Sequence, residues 1–147
     1  MVTLDNAEGD DLFSLAAFAF RGGHYELAAG LYGRWFNETE MPYKADTLNR
    51  AAWQLYLARE SLGTAVAMAR KAYNLDPSAD IADTLARLLY VSGEHMEAVE
   101  LERKAAANSQ GGRAEQYLEV ANKMQKLIDL DDKPAFEDYP GPREISL

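Results

Sequence analysis

The chain contains 147 residues, of which 48% are hydrophobic and 27% are charged, and this composition is typical of a folded globular domain. Its formal net charge is −9 and it has no Lys/Arg-rich run, so its surface would repel phosphate and a nucleic-acid partner is not expected. The absence of cysteine excludes disulfides, thiolate metal sites and cysteine nucleophiles.

Membrane insertion and export signals are also missing from the pattern. No apolar run approaches the ~20 residues of a membrane-spanning helix. Residues 1–11 are acidic and lack the basic and apolar regions of a signal peptide. We therefore expect no membrane partner and a cytoplasmic location, or a periplasmic location if the chain is a fragment of an exported protein.

The spacing of apolar residues predicts seven helices. Gly22–Gly23 ends the first helix and Gly93 the fifth, since glycine favours the left-handed conformation that closes a helix. Pro77 ends the fourth, because the residue before a proline avoids the helical region. The predicted helices cover residues 10–21, 24–36, 44–59, 62–74, 78–92, 94–107 and 113–130, and residues 37–43 form a loop.

The connections between these helices are short, so neighbouring helices should pack antiparallel, either as a closed bundle or as a stack of hairpins. A search for internal repeats separates these two arrangements. Ala28, Ala65 and Ala98 lie near the centres of the second, fourth and sixth helices, at intervals of 37 and 33 residues. This near-period favours a stack.

The residues that repeat point to a known family. Residues 83–106 read DTLARLLYVSGEHMEAVELERKAA, with small or aromatic residues at regular positions. Matching residues in the three segments are Leu12, Leu15, Ala16, Gly23, Tyr25, Ala28, Ala52, Tyr56, Ala65, Ala72, Pro77, Leu85, Ala86, Gly93, Ala98 and Ala105. The pattern resembles the tetratricopeptide repeat, a helix pair of about 34 residues.

That resemblance implies an all-α fold, namely a right-handed superhelical stack of about three antiparallel helix hairpins. The units would cover residues 10–36, 44–76 and 79–107, with a capping helix at 113–130. Residues 1–9 would then form an N-terminal arm. Residues 48–126 also resemble the helical-repeat extensions of bacterial thioredoxin-like proteins, but a Cys-x-x-Cys is absent here, so no redox activity is implied.

In tetratricopeptide stacks, the first helices of successive units line a concave groove that binds a peptide or protein partner. The resemblance implies a groove that is apolar along one line and carries arginines among its apolar residues. The expected groove residues are Phe13, Phe20, Arg50, Gln54, Leu57, Arg87 and Tyr90.

Arg50 and Arg87 allow two interpretations. On an acidic protein they could hold a carboxylate or acidic side chain of a partner bidentately. Alternatively, they form ordinary helix-surface ion pairs with Asp46, Asp80 or Asp83. The sequence leaves both open.

The two tryptophans depart from the repeat pattern, since Trp35 and Trp53 stand where small residues are usual. We predict that both fill a widened junction between the first two units, with the alternative that one of them lines a pocket. The tail of residues 131–147 contains three prolines and no sustained period. It is predicted to be extended or disordered, or else to fold back over its own groove or that of a neighbour.

No residue pattern in the chain predicts catalysis. His24 and His95 both fall in turns, and no H-E-x-x-H, P-loop, G-x-G-x-x-G or G-x-S-x-G motif is present. We therefore expect neither an enzyme nor a cofactor or metal. The leading hypothesis is a protein-interaction module. The alternatives are a self-associating structural element, including a homodimer, and an accessory domain of a larger, thioredoxin-like or other enzyme.

Overall fold

The computed structural model describes residues 9–39 and 43–130, and every regular element among them is an α-helix. All seven predicted helices are confirmed, with ends that differ by at most two residues, and so is the all-α fold class. The helices are α1 (Gly9–Arg21), α2 (Tyr25–Glu38), α3 (Ala45–Ala58), α4 (Leu62–Leu75), α5 (Ala79–Val91), α6 (His95–Ala107) and α7 (Gly111–Asp129). The predictions for the tail of residues 131–147 and for most of the N-terminal arm lie outside the described residues.

The helices pack as successive antiparallel hairpins rather than as a closed bundle. The most extensive contacts join α1 to α2, α3 to α4, α5 to α6, and α6 to α7. Neighbouring hairpins meet mainly where α5 packs against α4 and α3. Since each hairpin packs chiefly on its neighbours along the chain, the architecture is that of a helical-repeat stack.

The three hairpin turns share one hydrogen-bonding pattern. In each, one residue adopts the left-handed conformation, and the next backbone N–H donates to a carbonyl five residues earlier, at 2.8 to 3.1 Å. Glycine fills this position in the first and third turns, at Gly23 (φ 82°) and Gly93 (φ 99°). Arg59 (φ 55°) fills it in the second turn, where Ser61 (φ 48°) is also left-handed. The second turn is therefore the strained one, because side chains disfavour positive φ.

Buried alanines recur at equivalent positions of the three hairpins. Ala28, Ala65 and Ala98 are all buried, at the same depth in the three hairpins. A methyl side chain lets the helix backbones come together, while larger neighbours fill the grooves beside it. The same 37- and 33-residue intervals separate the last residues of α1, α3 and α5, so the repeat is present in the structure as well as in the sequence.

Aromatic rings fill the junction between the first two hairpins. Trp35 is buried, with its ring centroid 5.0 Å from that of Phe13 and 5.1 Å from that of Tyr43. The ammonium of Lys71 lies 4.7 Å from the Tyr43 ring. The backbones of α2 and α3 approach each other at fewer points than those of α4 and α5. Rings therefore occupy the space that close backbone packing fills elsewhere.

Trp53 follows the alternative prediction, that one of the two tryptophans lines a pocket, because it lies in the wall of a cleft between α3 and α5. Its ring stacks on Tyr56 of the same helix at 5.3 Å and lies 5.9 Å from the guanidinium carbon of Arg87 on α5. These contacts place its ring beside the third hairpin. Among the helices that the structure describes, none is both long enough and apolar enough to cross a membrane.

Candidate functional site

Two adjoining clefts lie along α3, α5 and α7, each of about 370 Å³. The first cleft, between α3 and α5, includes Arg50 and Trp53 in its wall. The second, between α5 and α7, includes Arg87, Arg113 and Tyr117. Asp80 and Asp83 of α5 line both clefts, which therefore form one continuous surface, the α3–α5–α7 groove.

The three apolar residues predicted to line the groove belong to the core. Phe20, Leu57 and Tyr90 are 4%, 5% and 1% exposed and form part of the main hydrophobic cluster. The ring of Tyr90 meets that of His95 edge-on at 4.7 Å, so this histidine, which is the first residue of α6 and not a turn residue, packs within the third hairpin. A partner that lies on the surface of this structure cannot reach the three predicted anchors.

Two further predicted residues take part in the aromatic junction. Phe13 is half-buried and packs edge-on against Tyr32 at 5.4 Å. Gln54 accepts a hydrogen bond from the Tyr32 hydroxyl through its Oε1 atom. Burial raises the pKa of Tyr32, whereas the positive charges of Arg50 and Arg21 act to lower it. Because burial has the larger effect, the phenol stays protonated and donates the hydrogen bond. Gln54 thus links the second hairpin to the first, whereas Phe13 packs within the first hairpin.

Arg87 forms an ion pair with an aspartate of its own helix, which is the second of the two interpretations given for it. Its Nε donates to Oδ1 of Asp83 at 2.9 Å, and the two side chains are only 5% and 15% exposed. The pair joins successive turns of α5, the spacing at which helix side chains meet. Arg87 is therefore part of the groove wall, with its charge already neutralised by Asp83.

Arg50 behaves differently, although it lies in the same groove. Its side chain is exposed, and it forms no ion pair with any residue of the described ranges. Half-buried Trp53 lines the same cleft one helical turn further along α3. This end of the groove therefore presents a guanidinium without an ion pair beside an aromatic surface, with the carboxylate of Asp46 in the same wall.

The wall that α7 contributes was missed by the sequence reasoning, which treated α7 only as a cap. Oδ1 of Asp80 accepts from Nη2 of Arg113 at 2.9 Å and from the Tyr117 hydroxyl at 2.7 Å. Burial, and then the hydrogen bond to Asp80, raises the pKa of Tyr117. Arg113 follows Asp80 by 33 residues, which is close to one repeat period, so the period itself was the available signal.

The groove offers guanidinium donors, carboxylates and an indole surface. In the part of the chain that the structure describes, no three His, Cys, Asp or Glu side chains converge as a metal site would require. Comparisons with protein-family models, with curated proteins and with solved structures gave no significant match, so the chain is assigned to no family.

Proposed function

We propose that the protein is a non-enzymatic interaction module of the tetratricopeptide kind. In this proposal the α3–α5–α7 groove binds an extended segment of a partner protein that carries an acidic residue. The single observation that supports it is Arg50, an exposed guanidinium in the groove with no ion-pair partner among the described residues.

The chemistry of the α3–α5 cleft suits such a segment. A guanidinium presents two parallel N–H donors to one carboxylate, which gives both affinity and orientation. Trp53 supplies apolar area next to that charge, and aromatic and arginine side chains account for much of the energy of protein interfaces. The neighbouring arginines Arg87 and Arg113 form ion pairs with Asp83 and Asp80, so Arg50 is the groove arginine that has no ion pair among the described residues.

A peptide-display selection against the full chain, followed by titration calorimetry with the selected peptides, tests this proposal. We expect an acidic residue to recur in the selected peptides. Arg50→Ala should then weaken their binding at least about tenfold, equivalent to about 1.4 kcal/mol. The matched control is Arg103→Ala, which removes an exposed arginine from α6, outside the groove.

Three results would overturn the proposal. The selection could yield no binding peptide, the selected peptides could lack a common acidic residue, or they could bind the Arg50→Ala variant as tightly as the wild type. Equal losses in Arg50→Ala and Arg103→Ala would also count against the groove, since they would show only a response to net charge.

A further inference from the structure

The first helix of each hairpin can be compared position by position. The fourth residue from the end of α1, α3 and α5 is Phe18, Leu55 and Leu88, respectively. Leu55 is 1% exposed and Leu88 is fully buried, whereas Phe18 is 72% exposed. The aromatic side chain of Phe18 is thus exposed to solvent at a position that is buried in the core of the other two hairpins.

The neighbouring positions on the same side of the helix show the same contrast. Leu15 is half-buried, whereas its equivalents Ala52 and Leu85 are buried. Asp11 is exposed, whereas its equivalents Leu48 and Ile81 are buried. We call Asp11, Leu15 and Phe18 the open face of α1.

The open face has a simple structural origin. α3 and α5 each pack against the last helix of the preceding hairpin, α2 and α4, respectively. Within the described ranges, no helix precedes α1. The other end of the stack is covered by α7, whose outer side carries polar residues such as Glu115, Asn122 and Lys126 around the exposed Leu118. The two ends of the stack therefore differ: among the described residues, only the α1 end exposes an aromatic ring at a position that is core in the other hairpins.

The charges along α1 favour a particular occupant of this face. Asp11 and Arg21 are both exposed and form no ion pair within the described ranges. They are ten residues apart, or about 15 Å along the helix. If a second α1 lies antiparallel across the open face, Asp11 of each copy meets Arg21 of the other. Phe18 then lies over Ser14 and Leu15 of the second copy.

We propose that the protein forms a two-fold symmetric dimer in which the open faces of two α1 helices pack antiparallel. A two-fold interface requires a self-complementary surface. α1 provides one, because it has an acidic residue near its start, a basic residue at its end and apolar residues between them. The inference is independent of the proposed peptide groove, which lies on α3, α5 and α7. One helix pair from each copy makes a small interface, and two chains of charge −9 repel, so the dimer is weak.

Sedimentation equilibrium of the full chain, up to about 1 mM protein at physiological ionic strength, measures this association. We expect a monomer–dimer equilibrium in the wild type. Phe18→Glu should leave only monomer, because it places a carboxylate at the centre of the interface. The matched control, Leu118→Glu, changes another exposed apolar residue, on α7, and should dimerise as the wild type does. Circular dichroism verifies that both variants fold.

Charge reversal identifies the geometry. Asp11→Arg and Arg21→Asp should each weaken the homodimer at least about tenfold, since each places like charges opposite one another. An equimolar mixture of these two variants should form a heterodimer, because every pair across the contact is then of opposite sign. The chain that carries both substitutions should also regain dimerisation.

Each alternative outcome overturns the inference. A wild type that stays monomeric to about 1 mM excludes the dimer. A dimer that survives Phe18→Glu uses another face. A dimer that requires Phe18 but is not restored by mixing the two charge variants pairs its helices in a different orientation.

Discussion

The contribution of the buried ion pair between Arg87 and Asp83 of α5 to the free energy of unfolding can be measured. At 2.9 Å, and with an effective dielectric constant of about 20, the Coulomb attraction between the two groups is about 6 kcal/mol. The cost of removing both charges from water offsets most of that attraction. Arg87→Met keeps an unbranched apolar stem in place of the arginine stem but leaves the largely buried Asp83 carboxylate without this partner. We expect this variant to lower the free energy of unfolding by about 3 kcal/mol.

Urea unfolding followed by far-ultraviolet circular dichroism measures this loss, provided that the slope of the transition is unchanged. The double variant Asp83→Leu/Arg87→Met removes both charges and should regain stability to within about 1 kcal/mol of the wild type. The control Arg103→Met makes the same substitution on the exposed side of α6 and should cost less than about 0.5 kcal/mol.

The reasoning would be refuted if Arg87→Met cost no more than Arg103→Met. In that case the pair would not hold α5 together, and Arg87 would become a candidate for partner binding. A double variant that is less stable than Arg87→Met would also contradict it, because the carboxylate would then stabilise the fold by another route.

Two further predictions concern the surface. The bidentate pair of Arg70 on α4 and Glu97 on α6, at 2.9 Å, lowers the pKa of the Glu97 carboxyl below its ordinary value of 4.5, chiefly through the hydrogen bonds from Arg70. For such exposed side chains the pair should stabilise the fold by about 0.3–1 kcal/mol. This stabilisation should be fully present above pH 4.5 and lost as the pH falls through the lowered pKa of Glu97. A double-mutant cycle of Arg70→Ala and Glu97→Ala, repeated across pH, measures it. Ser61→Gly should stabilise the protein by about 0.5–1 kcal/mol in urea unfolding, since Ser61 has φ 48° and its side chain makes no capping hydrogen bond.

Both predictions have a result that contradicts them. A coupling between Arg70 and Glu97 that grows at acid pH would have the wrong sign for a carboxylate of lowered pKa. For the turn, the control is Ser92→Gly, where φ is −90° and glycine relieves no strain. If both serine-to-glycine variants changed stability equally, the left-handed conformation of Ser61 would not be costly.

The helices were predictable because local chemistry marks their ends. Gly23 and Gly93 supply the left-handed residues of two hairpin turns, and Pro77 interrupts the helical conformation between the second and third hairpins. The ion pair of Arg87 with Asp83 was also predictable, since the two residues lie four positions apart on one helix. These features depend on the chain within one or two helical turns.

The accessible surface of the groove was not predictable in the same way. A helical period gives the direction of Phe20, Leu57 and Tyr90 on their helices, but the depth at which each is covered depends on the next hairpin in the stack. The contact of Asp80 with Tyr117 spans 37 residues, and its formation depends on how α7 packs against the third hairpin. Such contacts follow from the three-dimensional arrangement and not from local pattern.

The aromatic junction between the first two hairpins also bears on how the protein unfolds. In a repeat stack, stability divides into a part for each hairpin and a part for each junction, so cooperativity is only as strong as the weakest junction. Here the first hairpin is joined to the others by side chains, such as Tyr32 to Gln54 and Phe36 to Lys71, more than by close backbone approach. Residues 9–38 therefore form the unit whose amide hydrogens can exchange by local opening while α3 to α7 remain folded.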